Sequence, residues 1–91
     1  MSTESFIINL LKTTNTWQHQ DSGCLNPVRA FIHYAIVIWD GERYYIRIVQ
    51  YKDFNHFTLE KNGYYDNFIN TELIRQTVDK VVKNFGMNIP D

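Results

Sequence analysis

The sequence predicts an α+β fold, a two-layer structure in which an antiparallel meander of three to four strands packs against an N-terminal and a C-terminal helix. Three observations predict it. Both ends of the chain carry apolar residues at helical spacing, the middle is rich in β-branched and aromatic residues, and Asp-Gly and Asn-Gly dipeptides at 40–41 and 62–63 divide that middle into hairpins. The order α-β-β-β-(β)-α favours both helices on one face of the sheet.

The first helix is predicted over residues 3–13. Ser2 or Thr3 can cap its first turn, and Glu4 suits the positive end of the helix dipole. Four apolar residues fall on one side of this helix: Phe6, Ile7, Leu10 and Leu11. Because so short a helix is marginal in isolation, packing against the sheet must stabilise it.

The second helix is predicted over residues 71–85. Asn70 or Thr71 can cap its start, and Gly86 is placed to end it. Its apolar stripe consists of Leu73, Ile74, Val78, Val81, Val82 and Phe85. This stripe is interpreted as part of the core.

Between the first helix and the strands, residues 14–27 show no apolar period and are mostly polar. Gly23 and Pro27 interrupt regular structure there, so a long loop is predicted. Loops of this length in small domains are often functional, which makes Trp17 and His19 secondary site candidates.

The strands are predicted over residues 28–39 and 42–51, which form one hairpin, and over residues 56–61. Asn62-Gly63 is a strong turn signal, after which residues 64–68 can return as a short fourth strand.

The first hairpin allows two registers. A two-residue turn at Asp40-Gly41 pairs Trp39 with Glu42, and then both faces mix aliphatic and charged side chains. A bulged turn pairs Ile38 with Glu42 and gathers the isoleucines on one face. Because burial of one face normally sets the register, the bulged turn is the prediction.

In the bulged register, the face away from the helices carries tyrosines, arginines and a histidine. Tyr and Arg are enriched where proteins bind proteins, and a continuous apolar patch usually marks an interaction site. The predicted partner-binding residues are Phe31, His33, Arg43, Tyr45, Arg47 and Tyr51. The alternative is that residues 14–27, with Trp17, fold over this face.

Composition limits the class of protein. The 91 residues predict one domain, 1–91, and 44% hydrophobic residues are too many for a disordered chain. A net charge of −1 provides no general attraction for nucleic acid. The single cysteine, Cys24, favours a reducing compartment, and with no secretory signal and no apolar run long enough to span a membrane, the expected location is cytoplasmic.

The sequence offers no motif for catalysis, for a cofactor or for a metal. His19 and Cys24 lie close in sequence, but no context for an activated nucleophile accompanies them. They are too few for a structural zinc site, and the glycines are isolated at turns rather than gathered in a phosphate-binding loop. The chain is therefore predicted not to be an enzyme and to use no cofactor.

Two families are similar in part. The order α-β-β-β-α resembles the double-stranded RNA-binding domain, whose second helix opens with a lysine cluster; here residues 70–75 offer only Arg75. Residues 55–68, NHFTLEKNGYYDNF, followed by a helix resemble the second half of SH2 domains, although Arg29 lacks the FLVRES-like surroundings of that family. Each resemblance covers topology or half the chain and does not imply a function.

The predicted function is that of a small binding or regulatory module that contacts a protein partner or a second copy of itself in a homodimer. The alternative is binding of single-stranded or duplex nucleic acid by the same sheet face. The third hypothesis is a small Cys/His enzyme that uses residues 14–27. Small size and absence of motifs are also expected of accessory proteins from viruses or mobile elements.

Overall fold

The computed structural model describes residues 2–25 and 28–89, without the side chains of residues 23–25 and 28. Its elements are α1 (Thr3–Thr13), β1 (Gln18–Leu25), β2 (Val28–Trp39), β3 (Glu42–Gln50), β4 (Asn55–Lys61), β5 (Tyr64–Tyr65) and α2 (Glu72–Phe85). The five strands form one antiparallel sheet in sequence order. The predicted α+β class is confirmed, with one strand more than expected.

Both helices are capped as predicted. Ser2 accepts a hydrogen bond from the backbone N–H of Ser5, with 3.1 Å between N and Oγ. Thr71 accepts from the N–H of Ile74 in the same way, at 3.3 Å. Gly86 ends α2 with a left-handed φ of 69°, which glycine adopts without steric cost. These contacts satisfy backbone groups that helix ends leave unpaired.

The core lies between the helices and one face of the sheet, which we call the helix face. Its buried side chains are Ile7, Leu10 and Leu11 from α1, Ile74, Val78 and Val82 from α2, and Ala35, Tyr44, Ile46, Ile48, Phe57 and Leu59 from the sheet. Since both helices share this core with the same sheet face, they pack on one side, as predicted. Burial of this apolar area is the main source of stability.

One position of the predicted α2 stripe is wrong. Leu73 is about half exposed, whereas Thr77 is buried. The Thr77 hydroxyl donates to the Leu73 carbonyl at 2.8 Å, so its burial leaves no unsatisfied donor. Thr77 lines the groove between α2 and α1 together with Leu11.

The predicted loop over residues 14–27 is also wrong, because most of it is an edge strand. β1 pairs with β2, His19 opposite His33, and residues 22 and 23 form a bulge opposite Ala30. The segment shows no apolar period because an edge strand with polar side chains gains its order from backbone pairing. Pro27 lies outside the described residues. The added strand also replaces the α-β-β-β-α order that resembled the RNA-binding domain.

The hairpin between β2 and β3 has the two-residue turn. Trp39 pairs with Glu42, and Asp40 and Gly41 both have positive φ, 50° and 75°, as a type I′ turn requires. The predicted pairing of Ile38 with Glu42 is therefore wrong. Because side chains alternate along a strand, β2 presents the opposite faces from those predicted, whereas β3 presents the predicted ones.

Packing of aromatic rings explains this register. Trp39 lies on the helix side and meets Phe6 of α1 edge to face, with ring centroids 6.2 Å apart. Phe6 also contacts Tyr44 at 5.2 Å. The type I′ turn in addition matches the right-handed twist of the strands, which the predicted sorting of isoleucines did not take into account.

Candidate functional site: the open face of the sheet

The sheet face opposite the helices is the candidate site, and we call it the open face. Strand pairing and the alternation of side chains assign to it Gln18 and Gln20 from β1, Ile32, Tyr34, Ile36 and Ile38 from β2, Arg43, Tyr45, Arg47 and Val49 from β3, His56, Thr58 and Glu60 from β4, and Tyr65 from β5. The two described helices pack on the other side. Much of the open face therefore meets solvent, although Val49 on it is only 7% exposed.

Apolar side chains are concentrated at the turn end of this face. Ile36 is 50% exposed and Ile38 is 65% exposed, and both lie near the turn that joins β2 to β3. Ile36 lies opposite Tyr45, and Ile38 lies opposite Arg43. Adjacent exposed aliphatic and aromatic side chains of this kind are typical of a surface that binds another macromolecule.

Tyrosine rings extend the apolar region. The rings of Tyr34 and Tyr45 lie with centroids 6.1 Å apart, tilted by 33°. Tyr65, at the far edge, pairs with Glu60 and is 64% exposed. Tyr45 and Glu60 also line a shallow hollow with Arg43 and Gly63. The face thus runs without interruption from β2 to β5.

Two arginines supply the charge of the open face. Among the described residues, neither Arg43 nor Arg47 forms an ion pair with a carboxylate. The Arg47 Nε is shielded from solvent and has no hydrogen-bond partner in the part of the chain that the structure describes. A guanidinium presents several donors in a fixed plane and binds carboxylates with two hydrogen bonds. The arginines therefore offer unused donors beside the isoleucines.

The structure brings together three of the predicted site residues and separates the others. Arg43, Tyr45 and Arg47 lie on the open face. Phe31 and His33 lie on the helix side instead, because the register of β2 differs from the prediction, and His33 is fully buried. This leaves the predicted set divided between two faces.

Tyr51 lies just beyond the end of β3 rather than in it. Its ring stacks on that of Phe54 with centroids 4.7 Å apart, and its N–H donates to the Phe54 carbonyl at 2.9 Å. These contacts place it in the β3–β4 turn. It is therefore separate from the tyrosines of the open face.

Sequence reasoning missed Tyr34, Ile36 and Ile38, which were assigned to the core. The signal that locates them is Asp40-Gly41, because this dipeptide favours a type I′ turn and so the observed register.

The secondary candidates, Trp17 and His19, lie near the end of α2. The rings of both contact Phe85, with centroid distances of 5.5 and 4.8 Å. The His19 Nδ1 lies 2.8 Å from the Nδ1 of His33, so its imidazole is already engaged. The side chain of Cys24 lies outside the described part of the chain, so its proposed pairing with His19 cannot be located.

The buried His33 is the centre of a partly buried polar network on the helix side. Its Nε2 lies 2.8 Å from the Gln50 Oε1, and the Gln50 Nε2 donates to the Met87 carbonyl at 3.0 Å. Burial lowers the pKa of His33, the hydrogen bond to Gln50 acts in the opposite direction, and the nearby charge of His19 lowers the pKa further. The network holds the residues after α2 against the sheet.

Membrane spanning, metal binding and similarity to known proteins all bear on the class of function. Among residues 2–25 and 28–89, neither helix has the length and hydrophobicity needed to cross a membrane. Within the same ranges, no group of three or more His, Cys, Asp or Glu side chains is arranged to hold a metal ion. Comparison of the chain with protein-family models, curated proteins and solved structures found no match. The function must therefore be inferred from the surface itself.

Proposed function

We propose that this chain is a binding or regulatory module that acts through protein–protein contact, with the open face as its contact surface. The observation that carries the proposal is the position of Ile36 and Ile38, both at least half exposed, beside two guanidinium groups that form no ion pair with a carboxylate of the described residues. Apolar anchors surrounded by arginine and tyrosine are the composition of interface hot spots.

The chemistry of the surface describes its partner. The partner needs an apolar patch to cover the isoleucines and carboxylates to meet Arg43 and Arg47. A second copy of the chain meets both requirements, because Glu60 lies on the same face and can approach Arg43 of the other copy in a symmetric pair. A homodimer through the open face is therefore the first arrangement to test.

The test compares two double variants by light scattering after size-exclusion chromatography, from low to high micromolar concentration. Tyr45→Ala with Arg47→Ala removes a tyrosine and a cation from the open face. Lys61→Ala with Tyr64→Ala removes the same chemistry from neighbouring positions on the other side of the sheet. We expect the wild type and the second variant to associate and the first to remain monomeric.

Equal association of the first variant and the wild type contradicts the assignment of the face. A wild type that stays monomeric at all concentrations excludes the second copy as partner. In that case, proteins that bind the wild type are captured and purified. Calorimetry then compares the affinity of each captured protein for the wild type and for the two double variants.

Nucleic-acid binding by the same face is the second candidate, favoured by the Tyr34–Tyr45 ring pair next to two arginines. Bases can stack on such rings while arginines contact phosphates. A net charge of −1 disfavours it. Affinity for a single-stranded oligonucleotide that falls steeply with added salt supports this candidate, and no binding at low salt rules it out.

A further inference from the structure

The hydrogen bonds around His33 have only one consistent direction. The Met87 carbonyl can only accept, so the Gln50 amide donates to it through Nε2 and presents Oε1 to His33. The His33 Nε2 must therefore carry a proton and donate to Gln50. A neutral imidazole then has an unprotonated Nδ1, which can only accept, so the His19 Nδ1 must carry the proton between the two rings.

This direction determines how the pair responds to protons. The Nε2 of His19 is the remaining acceptor site, and a proton bound there leaves the Nδ1–H of His19 in place, so the network persists. A second proton must bind to the His33 Nδ1. Two N–H groups then face each other across 2.8 Å on two positive rings, and the bond between the strands is lost.

The surroundings offer the second proton no compensation. Among the described residues, the only hydrogen-bond partners of the two rings are each other and Gln50. On β1, Asp21 is paired with Arg29 at 3.0 Å. From β3 the pair meets the uncharged Ile48 and Gln50. Among the described residues, no carboxylate forms an ion pair with either imidazole.

The helices bring only cations or distant anions to this end of the sheet. Phe85, which is uncharged, is the α2 residue whose ring contacts both imidazoles, with centroids 4.8 and 4.7 Å away. Lys80 of α2 and Lys12 of α1 line the groove beside Trp17. Lys83 is exposed on the last turn of α2. Asp79, also exposed, accepts a hydrogen bond from Asn55 at 2.8 Å.

We propose that His19 and His33 form a two-imidazole proton-binding site in which the first proton preserves the network and the second separates the rings and loosens Phe85 from the sheet. The site joins edge strand β1, strand β2 and the end of α2, so its second protonation loosens three elements at once. It lies on the side of the sheet opposite the open face. The inference therefore does not depend on the proposed function.

The experiment is a pH titration of the uniformly ¹⁵N-labelled protein by two-bond ¹H–¹⁵N spectra of the imidazoles, which identify the protonated nitrogen of each ring. At neutral pH we expect His33 to carry its proton on Nε2 and His19 to carry its proton on Nδ1. His56, which is exposed on β4, is the internal control. As the pH falls, the Phe85 ring signals should move together with the second protonation of His33.

A matched variant isolates the role of the second imidazole. Asn at position 19 can place an amide N–H near the former Nδ1, but it does not titrate and can turn its oxygen toward a protonated His33. In His19→Asn we expect His33 to gain its second proton at higher pH than in the wild type. We also expect the Phe85 ring to stay in place while His33 is protonated. His56→Asn should change neither signal.

Three results would overturn the proposal. The first is a wild-type protein whose Phe85 ring signals do not move when His33 gains its second proton. The second is a His19 that carries its proton on Nε2 at neutral pH. The third is a His19→Asn protein whose His33 titration does not move. Because none of these readouts involves association through the open face, failure here is distinguishable from failure of the proposed function.

Discussion

Ile38 and Ile46 lie on opposite faces of the same hairpin, although both belong to apolar segments next to its turn. Ile46 is fully buried under the helices, whereas Ile38 is 65% exposed on the open face. The two residues have the same side chain and stand on neighbouring strands, so they differ mainly in what covers them. This contrast allows the register of the hairpin to be measured as a difference in stability.

We expect Ile46→Ala to lower the free energy of unfolding by about 2–5 kcal/mol, because it leaves a cavity in the core. Ile38→Ala should change it by no more than about 0.5 kcal/mol, because the side chain is mostly in water. Urea unfolding followed by circular dichroism measures both. In the bulged register the two isoleucines would share the core face, so a large loss in both variants would contradict the observed pairing.

Local signals in the sequence are sufficient to predict the helices and their caps. The 3.6-residue period of residues 3–13, the hydroxyls of Ser2 and Thr71, and Gly86 all act within one or two turns of the chain. Asn62-Gly63 likewise forms the predicted turn, with φ of 52° and 88°. None of these features needs knowledge of distant contacts.

The face of β2 could not be predicted in the same way, because this strand is apolar on both sides. Ile36 and Ile38 alternate with Val37 and Trp39, so periodicity does not distinguish a core face from an open one. The register is decided by a contact between elements distant in sequence, in which Phe6 of α1 packs on Trp39 and places Trp39 on the helix side. Two predicted site residues, Phe31 and His33, were misplaced for this reason.

β1 was missed for the opposite reason, since it is polar on both sides. Gln18 and Gln20 point to the open face, and His19 points to the helix side. Backbone pairing with β2 makes this segment a strand, and no side-chain pattern records that pairing. The pair formed by the exposed His19 and the buried His33 was consequently also invisible, because it requires β1 and β2 to be neighbours. By contrast, Arg43, Tyr45 and Arg47 were placed on the correct face because β3 alternates regularly.

The turn between β2 and β3 should depend on Gly41. Its φ of 75° is unfavourable for residues with a Cβ, and among the described residues beyond its two chain neighbours no atom lies within 4 Å of where that Cβ would be. Gly41→Ala should therefore cost about 1–2 kcal/mol of stability through the backbone alone. Asp40→Asn should be nearly neutral, because Asn tolerates the positive φ observed there.

Urea unfolding of the two turn variants tests this expectation. A neutral Gly41→Ala would mean that the turn does not hold positive φ at this position in solution. The Gly63→Ala variant is a useful comparison, since Gly63 has a φ of 88° and equally open surroundings but joins the short strand β5.

Charge exchange on the open face should distinguish a homodimer from other partners. Arg43→Glu alone places the new glutamate opposite Glu60 of the other copy in a symmetric pair. This repulsion should weaken self-association by at least about tenfold. Adding Glu60→Arg exchanges the two charges on each copy, and association should recover. Sedimentation equilibrium of the wild type, the single variant and the double variant gives the three dissociation constants. A single variant that associates normally, or a double variant that fails to recover, argues against contact between Arg43 and Glu60.

The stability of the protein should decline in mild acid because of His33. Its pKa in the folded protein is below the ordinary value of 6.5, so below that pH the unfolded chain binds more protons than the folded one. The free energy of unfolding should accordingly be highest above pH 6.5 and fall as the pH decreases below that value. It should level off once His33 of the folded protein also binds the proton. Urea unfolding at several pH values between about 5 and 8 measures this slope, above the range in which most carboxylates titrate.

His33→Gln removes the titrating ring and should remove this acid-dependent loss, even if it lowers stability uniformly at every pH. His56→Gln is the matched control, because His56 is the exposed histidine of the open face, and it should retain the wild-type slope. The slope, rather than the absolute stability, is the informative quantity, since any buried substitution can destabilise the fold. If His33→Gln keeps the wild-type slope, another group is responsible for the acid sensitivity.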